Sequence, residues 1–438
     1  MTLVLRTTTL AAWSVGSLTL IMLWLALLGV GWSIGVVAIL WMGTIGVGAL
    51  VVRRLQGAFI VRAAWTPIEY AAVLITAAIA AAIVFNGTYF PFSRADALGI
   101  YRPSALAMWQ TGTLEPLIGA DSLYRTYPVL VPLLYTFAYQ VSGWENEMLA
   151  KGLATLLALG CLPAVFLLGA EVGERRVGLA AALLLALTPA FARWASAGYV
   201  DLPMATFYTL GALFTLRFWR HGGLLEALVG GVMIGLAAFT KNAGLIGIGL
   251  FAGALIAAVF LGANRGARAR RAIWALIACA LVAAPWYVRN LVGAGFLIPD
   301  TAWTDQAERS LRTLAIFVTL PNNFALTGWT MLAGVVLLAR RTPLLLWFVV
   351  PFFAAWWLFV SYDPRFLLLF TPILCVGAGW WLTGVTRRAP RPIQLAIGAL
   401  VVVLTVYTLW IAVEYKYAIL RAPFMSHADK IALVRETP

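Results

Sequence analysis

Two acidic residues stand where a carboxylate could take part in group transfer. Asp201 opens the long apolar run of "WASAGYVDLPMATFYTLGALF", and Asp96 lies in the polar stretch "SRADALGIY". An aspartate beside a reacting hydroxyl can act as a general base. A structural role is open for each as well. Asp201 precedes Leu-Pro, the pattern of a helix cap followed by proline in the first turn, and Asp96 can be a solvated loop acid.

Basic residues beside apolar runs form a second group of candidates. Lys241 in "AAFTKNAGL", Arg289 in "APWYVRNLVGAGF" and Arg365 in "SYDPRFLLLF" border such runs, and Arg125 precedes "TYPVLVPLLY". Each can reach the membrane surface as an ordinary interfacial residue, or it can bind a phosphate. We interpret Asp363, two residues before Arg365, mainly as a helix cap. Several cations with one or two acids suit a substrate that has a lipid tail and a phosphate head group.

The elements that would position these residues are membrane-spanning helices. Of the 438 residues, 63% are hydrophobic and 11% are charged, whereas a soluble domain has roughly 25% charged residues. Apolar stretches of about 20 residues, the length that crosses a bilayer as a helix, recur along the whole chain. The alternating pattern of a transmembrane barrel does not occur. We therefore predict an all-α polytopic integral membrane protein.

The apolar runs predict about thirteen transmembrane helices joined mostly by short loops. The predicted spans are 10–30, 33–52, 67–85, 148–170, 177–195, 201–218, 224–240, 243–262, 272–291, 318–339, 343–361, 366–384 and 393–413. Residues 86–143 form the first large external loop in this scheme. Within it, "ALGIYRPSALAMWQ" suits a short interfacial helix, and "YPVLVPLLYTFAYQVSG" suits a short, proline-broken helix. A second external loop covers residues 293–313.

The distribution of positive charge sets the predicted orientation. With thirteen spans, 17 of the 31 basic residues but only four of the 17 acids fall on one side. Cytoplasmic loops carry the excess of Lys and Arg, so this side is predicted to be cytoplasmic. The N-terminus is then inside and the C-terminal tail outside. The candidate acids and bases named above share the external face.

Other functional classes are less consistent with the sequence. The net charge of +14 comes from Arg residues scattered in short loops, which is a topology signal, so we predict no nucleic-acid partner. The cysteines, Cys161, Cys279 and Cys375, lie inside apolar runs and are interpreted as small hydrophobic residues. With two histidines in the chain, a His-built metal site is not expected. We predict no cofactor, and dependence on a divalent metal stays open.

Four segments carry a family resemblance. In chain order, "GYVDLPMATFYTLGAL", "FTKNAGLIG", "APWYVRNLVGAGF" and "SYDPRFLLLFTPILCVGAG" resemble the GT-C superfamily of membrane glycosyltransferases. The nearest branch is that of protein O-mannosyltransferases and aminoarabinose transferases. The resemblance covers about residues 67–390, which implies a GT-C-like catalytic core. Residues 1–66 then form two N-terminal helices with a cytoplasmic loop, and residues 391–438 form a last helix with an external tail.

The resemblance implies an activity and a set of partners. The expected enzyme moves a sugar from a polyprenyl-phosphate carrier to a protein, lipid or glycan acceptor, with inversion at the sugar. Its active site faces outward from the cell membrane. Two segments depart from the pattern: Ala97 stands where many relatives have a second acid, and "TYP" stands where relatives often have Lys-Pro-Pro before the broken helix.

The resemblance also assigns roles to single residues. Asp96 takes the position of the catalytic base in the first external loop, and Asp201 and Tyr101 are expected in the pocket for the sugar and acceptor. The residues expected to bind the donor phosphate are Lys241, Arg289, Arg365 and Arg125. A secondary transporter and a lipid-linked glycan ligase or polymerase are the alternative functions.

Overall fold

The structure, a computed structural model, describes residues 1–56, 64–114, 127–298 and 307–436. Within these ranges the chain folds into helices joined by short turns, and no strand occurs. The all-α prediction is therefore confirmed. Of the predicted site residues, Arg125 lies outside the described residues, as do residues 299–306 of the predicted second external loop.

The α-helices of the described residues follow one another with short connections. They are α1 (Thr2–Leu27), α2 (Ile34–Val52), α3 (Pro67–Tyr89), α4 (Arg102–Thr111), α5 (Leu130–Ser142), α6 (Glu147–Leu159), α7 (Cys161–Val172), α8 (Arg175–Ala186), α9 (Pro189–Ala195), α10 (Asp201–His221), α11 (Leu224–Thr240), α12 (Gly244–Leu261), α13 (Arg265–Ala294), α14 (Leu311–Thr319), α15 (Ala325–Arg341), α16 (Pro343–Trp347), α17 (Val350–Phe359), α18 (Thr371–Arg388), α19 (Arg391–Ala412), α20 (Lys416–Arg421) and α21 (His427–Glu436). A π-helical turn, Ala97–Tyr101, precedes α4, and a 3₁₀ helix, Pro364–Leu369, precedes α18.

Local sequence explains many of the helix ends. Thr66 and Glu69 form a reciprocal capping box at the start of α3, with a proline at its first position. Asn146 caps α6 by accepting a hydrogen bond from the backbone N–H of Leu149. Gly222 ends α10 in the left-handed conformation that glycine adopts without steric penalty.

Seven helical segments of the described chain are long and apolar enough to cross a membrane. They are α1, α2, α3, the continuous pair α6–α7, α12, α13 and α19. The pair α8–α9 would be an eighth if the two are one span, but they are bent by 69°. Multiple membrane-spanning helices are thus present, whereas the predicted number of thirteen is not confirmed and stays a prediction.

Several predicted spans differ from the observed helices. The predicted span 177–195 is divided into α8 and α9, and 343–361 is divided into α16 and α17; α9 and α17 have a proline in their first turns. The predicted start of the span 318–339 falls in the short helix α14, and the next helix, α15, begins only at Ala325. The predicted span 366–384 begins as the 3₁₀ helix rather than as α18. Apolar composition alone did not reveal these breaks.

Helix α10 lies at the centre of the bundle. Every residue from Asp201 to Phe218 is buried, and α6, α7, α11 and α12 pack around the helix. Helix α11 packs in turn against α13, where small residues allow close approach: a Cβ added at Gly235 would lie 2.8 Å from the carbonyl oxygen of Cys279. The most buried helix of the described chain therefore begins with an acidic residue.

The predicted orientation can be tested by labelling single cysteines with a membrane-impermeant maleimide in oriented vesicles. Thr111→Cys and Phe424→Cys should react from the external side, because both positions are exposed and lie on the predicted external face. Arg265→Cys and Arg388→Cys should react only after permeabilisation, because these exposed positions lie on the predicted cytoplasmic face. The unchanged protein is the control, since Cys161, Cys279 and Cys375 are buried and should not react. External labelling of Arg265→Cys would contradict the orientation.

Candidate active site

Arg365 joins three carboxylates that are far apart in the sequence. Its Nη1 lies 2.9 Å from Asp96 Oδ2, its Nη2 3.3 Å from Asp363 Oδ2, and its Nε 3.5 Å from Asp201 Oδ2. The Arg365 side chain is only 10% exposed. A guanidinium has five N–H donors in one plane, so it can hold several carboxylates where a lysine could not.

Lys241 pairs with the innermost of these carboxylates. Its Nζ contacts Asp201 Oδ1 and lies 3.9 Å from the ring centre of Phe366. The Asp201 side chain is 2% exposed, so both of its oxygens are neutralised by cations rather than by water. Lys241 directly follows α11, and Asp201 begins α10. The ends of two packed helices thus bring these charges together.

The capping role that the sequence left open for Asp201 is not observed. Val200 is the N-cap residue of α10 and makes no side-chain cap, and Asp201 is the first helical residue. Its carboxylate is directed to Lys241 and Arg365 instead, because two buried cations bind it more strongly than the orphan amides of the helix start. The negative charge still lies at the positive end of the helix dipole, where it is stabilised.

Asp96 is the most accessible of the three carboxylates. Its side chain is 31% exposed, compared with 26% for Asp363 and 2% for Asp201. It directly precedes the π-helical turn, and its backbone N–H donates to Tyr199 Oη at 2.9 Å. The main chain at Asp96 is therefore fixed, while its carboxylate faces both Arg365 and solvent.

Asp363 is a helix cap, as predicted. Its carboxylate accepts the backbone N–H of Arg365 at 2.8 Å and thereby starts the 3₁₀ helix. Burial raises the pKa of the Asp363 carboxyl above its ordinary value, although the neighbouring Arg365 charge acts in the opposite direction. The cap also orients the arginine that follows it.

Aromatic rings form one wall of the site. The rings of Trp194 and Tyr199 stack with their centres 5.3 Å apart, and the Arg365 guanidinium lies 4.5 Å from the centre of the Tyr199 ring. Tyr101 is buried and meets Tyr199 edge-on. Burial and the charges of Asp201 and Asp96 raise the pKa of the Tyr101 phenol, so it stays protonated.

The backbone of Gly198 permits a close contact between the segment before α10 and the segment after α3. Gly198 has φ +73°, and a Cβ there would lie 2.7 Å from the ring of Phe92. Its carbonyl accepts a hydrogen bond from Tyr135 Oη at 2.7 Å. The segment that carries Tyr199 is thereby packed directly on the segment that leads to Asp96.

The structure brings together five of the predicted site residues. Asp96, Asp201, Lys241 and Arg365 form one cluster with Asp363, which we call the Arg365 cluster, and Tyr101 packs beside it through Tyr199. Sequence reasoning missed Trp194 and Tyr199, although both stand in "RWASAGYVD", directly before Asp201.

Arg289 lies apart from the described contacts of the Arg365 cluster. It is near the end of α13, where Nη1 donates to Asn290 Oδ1 at 3.2 Å and the guanidinium lies 4.9 Å from the Trp286 ring centre. Tyr287, two residues earlier, donates to Asn242 Oδ1 at 3.2 Å, and Asn242 follows Lys241. Helix α13 therefore ends beside the segment that carries Lys241.

An apolar cavity of about 430 Å³ adjoins the 3₁₀ helix of Arg365. Leu367, Phe370 and residues of α14, α15, α17 and α18 line it. A larger apolar groove, about 720 Å³, lies between α1, α2 and α11 and is lined by none of the cluster residues. Among the residues the structure describes, no three His, Cys, Asp or Glu side chains are grouped as metal ligands.

Comparison with known proteins finds one matching family model and several solved structures with a similar fold. Residues 126–288, more than a third of the chain, match the model of the dolichyl-phosphate-mannose-protein mannosyltransferase family. ArnT from Cupriavidus metallidurans in the apo state superimposes with a TM-score of 0.59 at 17% identity, over 77% of this chain and 63% of that one. The chain therefore shares the fold of ArnT over this region.

Further solved structures show a similar fold. ArnT bound to undecaprenyl phosphate gives a TM-score of 0.56 at 18% identity, over 79% of this chain and 70% of that one. Archaeal oligosaccharyltransferase AglB from Archaeoglobus fulgidus, in complex with an inhibitory peptide and a dolichol-phosphate, gives 0.51 at 14% identity, over 79% and 55%. The chain thus spans about three fifths of the length of apo ArnT. No curated protein has a matching sequence.

The pairing of Asp201 with Lys241 should be visible in the stability of the purified protein. Asp201→Asn leaves Lys241 without its closest counter-charge in a buried position, a loss that costs about 3 kcal/mol in comparable pairs. We expect a lower unfolding temperature in detergent. The double variant Asp201→Asn/Lys241→Gln should recover part of the loss, and Asp429→Asn, an exposed carboxylate, is the control. An unchanged unfolding temperature for Asp201→Asn would contradict the pairing.

Proposed function

We propose that this protein is a membrane glycosyltransferase that moves a sugar from a polyprenyl-phosphate carrier to an acceptor at the external membrane surface. The Arg365 cluster carries the proposal: an accessible carboxylate, two cations and an aromatic wall meet at one end of the bundle. The apolar cavity beside Arg365 suits the first part of a lipid tail. ArnT and AglB, which share the fold, have been solved with undecaprenyl phosphate and a dolichol-phosphate, respectively.

Donor binding must rearrange the Arg365 cluster. Two cations, Lys241 and Arg365, face three carboxylates, so the cluster has no spare positive charge for a phosphate. Asp96 is the most exposed of the acids, and it can turn away from Arg365 most easily. A phosphate that takes its place on Arg365 would free the Asp96 carboxylate for chemistry. The donor would in this way activate the base that acts on the acceptor.

The reaction then follows as a single displacement. Asp96 takes the proton of the acceptor hydroxyl or amine while the acceptor atom attacks C1 of the sugar from the face opposite the phosphate. The bond from C1 to the phosphate oxygen breaks, and its electron pair stays on the phosphate. Lys241 and Arg365 stabilise the charge of the departing polyprenyl phosphate, and the transition state has oxocarbenium character. The configuration at C1 is inverted.

The geometry favours an enzyme over a secondary transporter. Transporter sites commonly lie near the bilayer midplane between repeated halves, whereas the Arg365 cluster lies where α10 begins and α11 ends. A lipid-linked glycan ligase or polymerase would use the same kind of site with a different donor. We place the protein in the cell membrane, with its N-terminus in the cytoplasm and the site outside.

Replacement of the base tests the proposed activity. Asp96→Asn should lower transfer by about 10²-fold or more, the usual contribution of general base catalysis, with the fold and donor binding retained. The assay incubates the protein with a panel of undecaprenyl-phosphate sugars and a membrane extract, and it measures released undecaprenyl phosphate by mass spectrometry. Glu308→Gln, at an exposed carboxylate, is the matched control. Near-normal release by Asp96→Asn would remove Asp96 from this role.

Replacement of Lys241 tests the proposed phosphate site separately from catalysis. Lys241→Ala removes a charged donor, and we expect the dissociation constant for undecaprenyl phosphate to rise by about tenfold or more. Binding can be measured in nanodiscs with radiolabelled lipid. Lys430→Ala is the control, since Lys430 lies over Tyr89, outside the cluster. An unchanged dissociation constant for Lys241→Ala would count against the phosphate site.

A further inference from the structure

The segment that leads to Asp96 has little regular structure, yet side chains from other parts of the chain bind its successive residues. Residues 90–94 lie between the end of α3 and the turn at Asp96. Lys151, fully buried on α6, donates to the carbonyls of Phe90 and Pro91 at 3.4 and 3.2 Å. The backbone N–H of Phe92 donates to Glu147 Oε2 at 3.1 Å. Two buried charged residues of α6 therefore fix the first half of the segment.

Glu414 fixes the second half. Its Oε2 accepts a hydrogen bond from Ser93 Oγ at 3.0 Å, and its Oε1 pairs with Arg94 Nη2. Glu414 comes from the short segment between α19 and α20, and its side chain is 15% exposed. Burial raises the pKa of the Glu414 carboxyl, but the charges of Lys151 and Arg94 outweigh this and hold it below its ordinary value.

Glu414 is also connected to the aromatic wall of the site, through Asn86 and through Arg94. The backbone N–H of Glu414 donates to Asn86 Oδ1 at 2.9 Å, and Asn86 Nδ2 donates to Ser196 Oγ at 2.7 Å. Arg94, held by Glu414, lies 5.6 Å from the ring centre of Trp194. Glu414 thus connects both external segments that meet at Asp96.

Glu147 is the counterpart of Glu414 on the other side of Asp96. Its Oε1 accepts Arg102 Nε at 2.9 Å, just after the π-helical turn, and Arg435 Nη2 of α21 at 2.7 Å. The residues after α19 therefore contact the surroundings of Asp96 at two places, through Glu414 and through Arg435.

We propose that Glu414 is a positioning residue for Asp96, which it holds in place through Ser93 and Arg94. This role rests on the proposed function, in which Asp96 is the base. A base acts only within hydrogen-bond reach of the proton it removes, and a displacement of about 1 Å can cost 10²-fold in rate. An irregular loop does not have such precision by itself, and the contacts of Glu414 supply it. Glu414 touches neither of the proposed phosphate ligands, so it should affect turnover and not donor binding.

The test uses the full chain in nanodiscs with Glu414→Gln, Glu414→Asp and the matched control Glu308→Gln. Glu414→Gln should lower kcat by about tenfold and leave the KM for undecaprenyl-phosphate sugars within about twofold. Glu414→Asp, which keeps the charge, should lose less. Hydrogen exchange of backbone amides in residues 92–101 should be faster in Glu414→Gln than in the control, because the loop opens more often.

Two results separate this proposal from the proposed function. Unchanged exchange at 92–101 and unchanged kcat in Glu414→Gln, with normal transfer by the unchanged protein, would overturn the role of Glu414 alone. No transfer and no undecaprenyl phosphate binding by the unchanged protein would overturn the proposed function. If Glu414→Gln does not fold, Ser93→Ala removes one of the same hydrogen bonds and should raise the exchange at 92–101. Exchange equal to that of Glu308→Gln would then overturn the proposal.

Discussion

The structure depends on one electrostatic constraint, which is that charges buried at the end of an apolar bundle must be paired. Asp201 and Arg365 are at most one tenth exposed, and each neutralises part of the other. A single buried charge without a partner would cost several kcal/mol. The four elements that carry the residues of the Arg365 cluster are therefore held in one arrangement. The positions of α10, the end of α11, the 3₁₀ helix and the loop of Asp96 all follow from this pairing. The same pairing keeps Lys241 and Arg365 together at a place where they could bind a phosphate.

The surrounding contacts convert short irregular segments into a defined site. Tyr199 Oη accepts a hydrogen bond from the backbone N–H of Asp96, and Gly198 lets Phe92 pack on the main chain. Asp363 caps the 3₁₀ helix and thereby orients Arg365. None of these segments belongs to a long helix. Their precision comes from side chains of neighbouring helices, which is the usual way in which a rigid scaffold holds functional loops.

The sequence predicted the helical class and the chemistry of the cluster more closely than its geometry. Asp201, Lys241 and Arg365 were singled out because a charge beside an apolar run is costly and therefore conspicuous, and Asp96 because a loop carboxylate can act as a general base. Their partners were not predictable, since Asp96 and Arg365 are separated by 269 positions and no local pattern joins them. For the same reason Asp201 was interpreted as a cap: its local sequence fits one, and only the fold provides the two competing cations.

The parts that the sequence did not predict have physical causes as well. The bend between α8 and α9 and the short helix α14 interrupt stretches that are continuous in composition. Glu414 was missed because it follows the last span, in a segment outside the resemblance, and an isolated glutamate near a helix end has no distinctive pattern. The division of the chain at residue 391 is a boundary in sequence, and the contacts of Glu414 with Ser93 and Arg94 cross it.

The unequal lengths of two neighbouring helices have a consequence for the surrounding lipid. Helix α12, with 18 residues, rises about 27 Å, whereas α13, with 30 residues, rises about 45 Å. A hydrocarbon layer is about 30 Å thick, so α12 barely spans it, whereas α13 is longer than the layer and its first two turns, which carry Arg265, Arg268, Arg270 and Arg271, project from it. Because α13 packs along α11, which leads to Lys241, a bilayer of different thickness would act on a helix that supports the site. Hydrophobic mismatch is therefore a variable that can adjust the geometry of the Arg365 cluster without any contact to it.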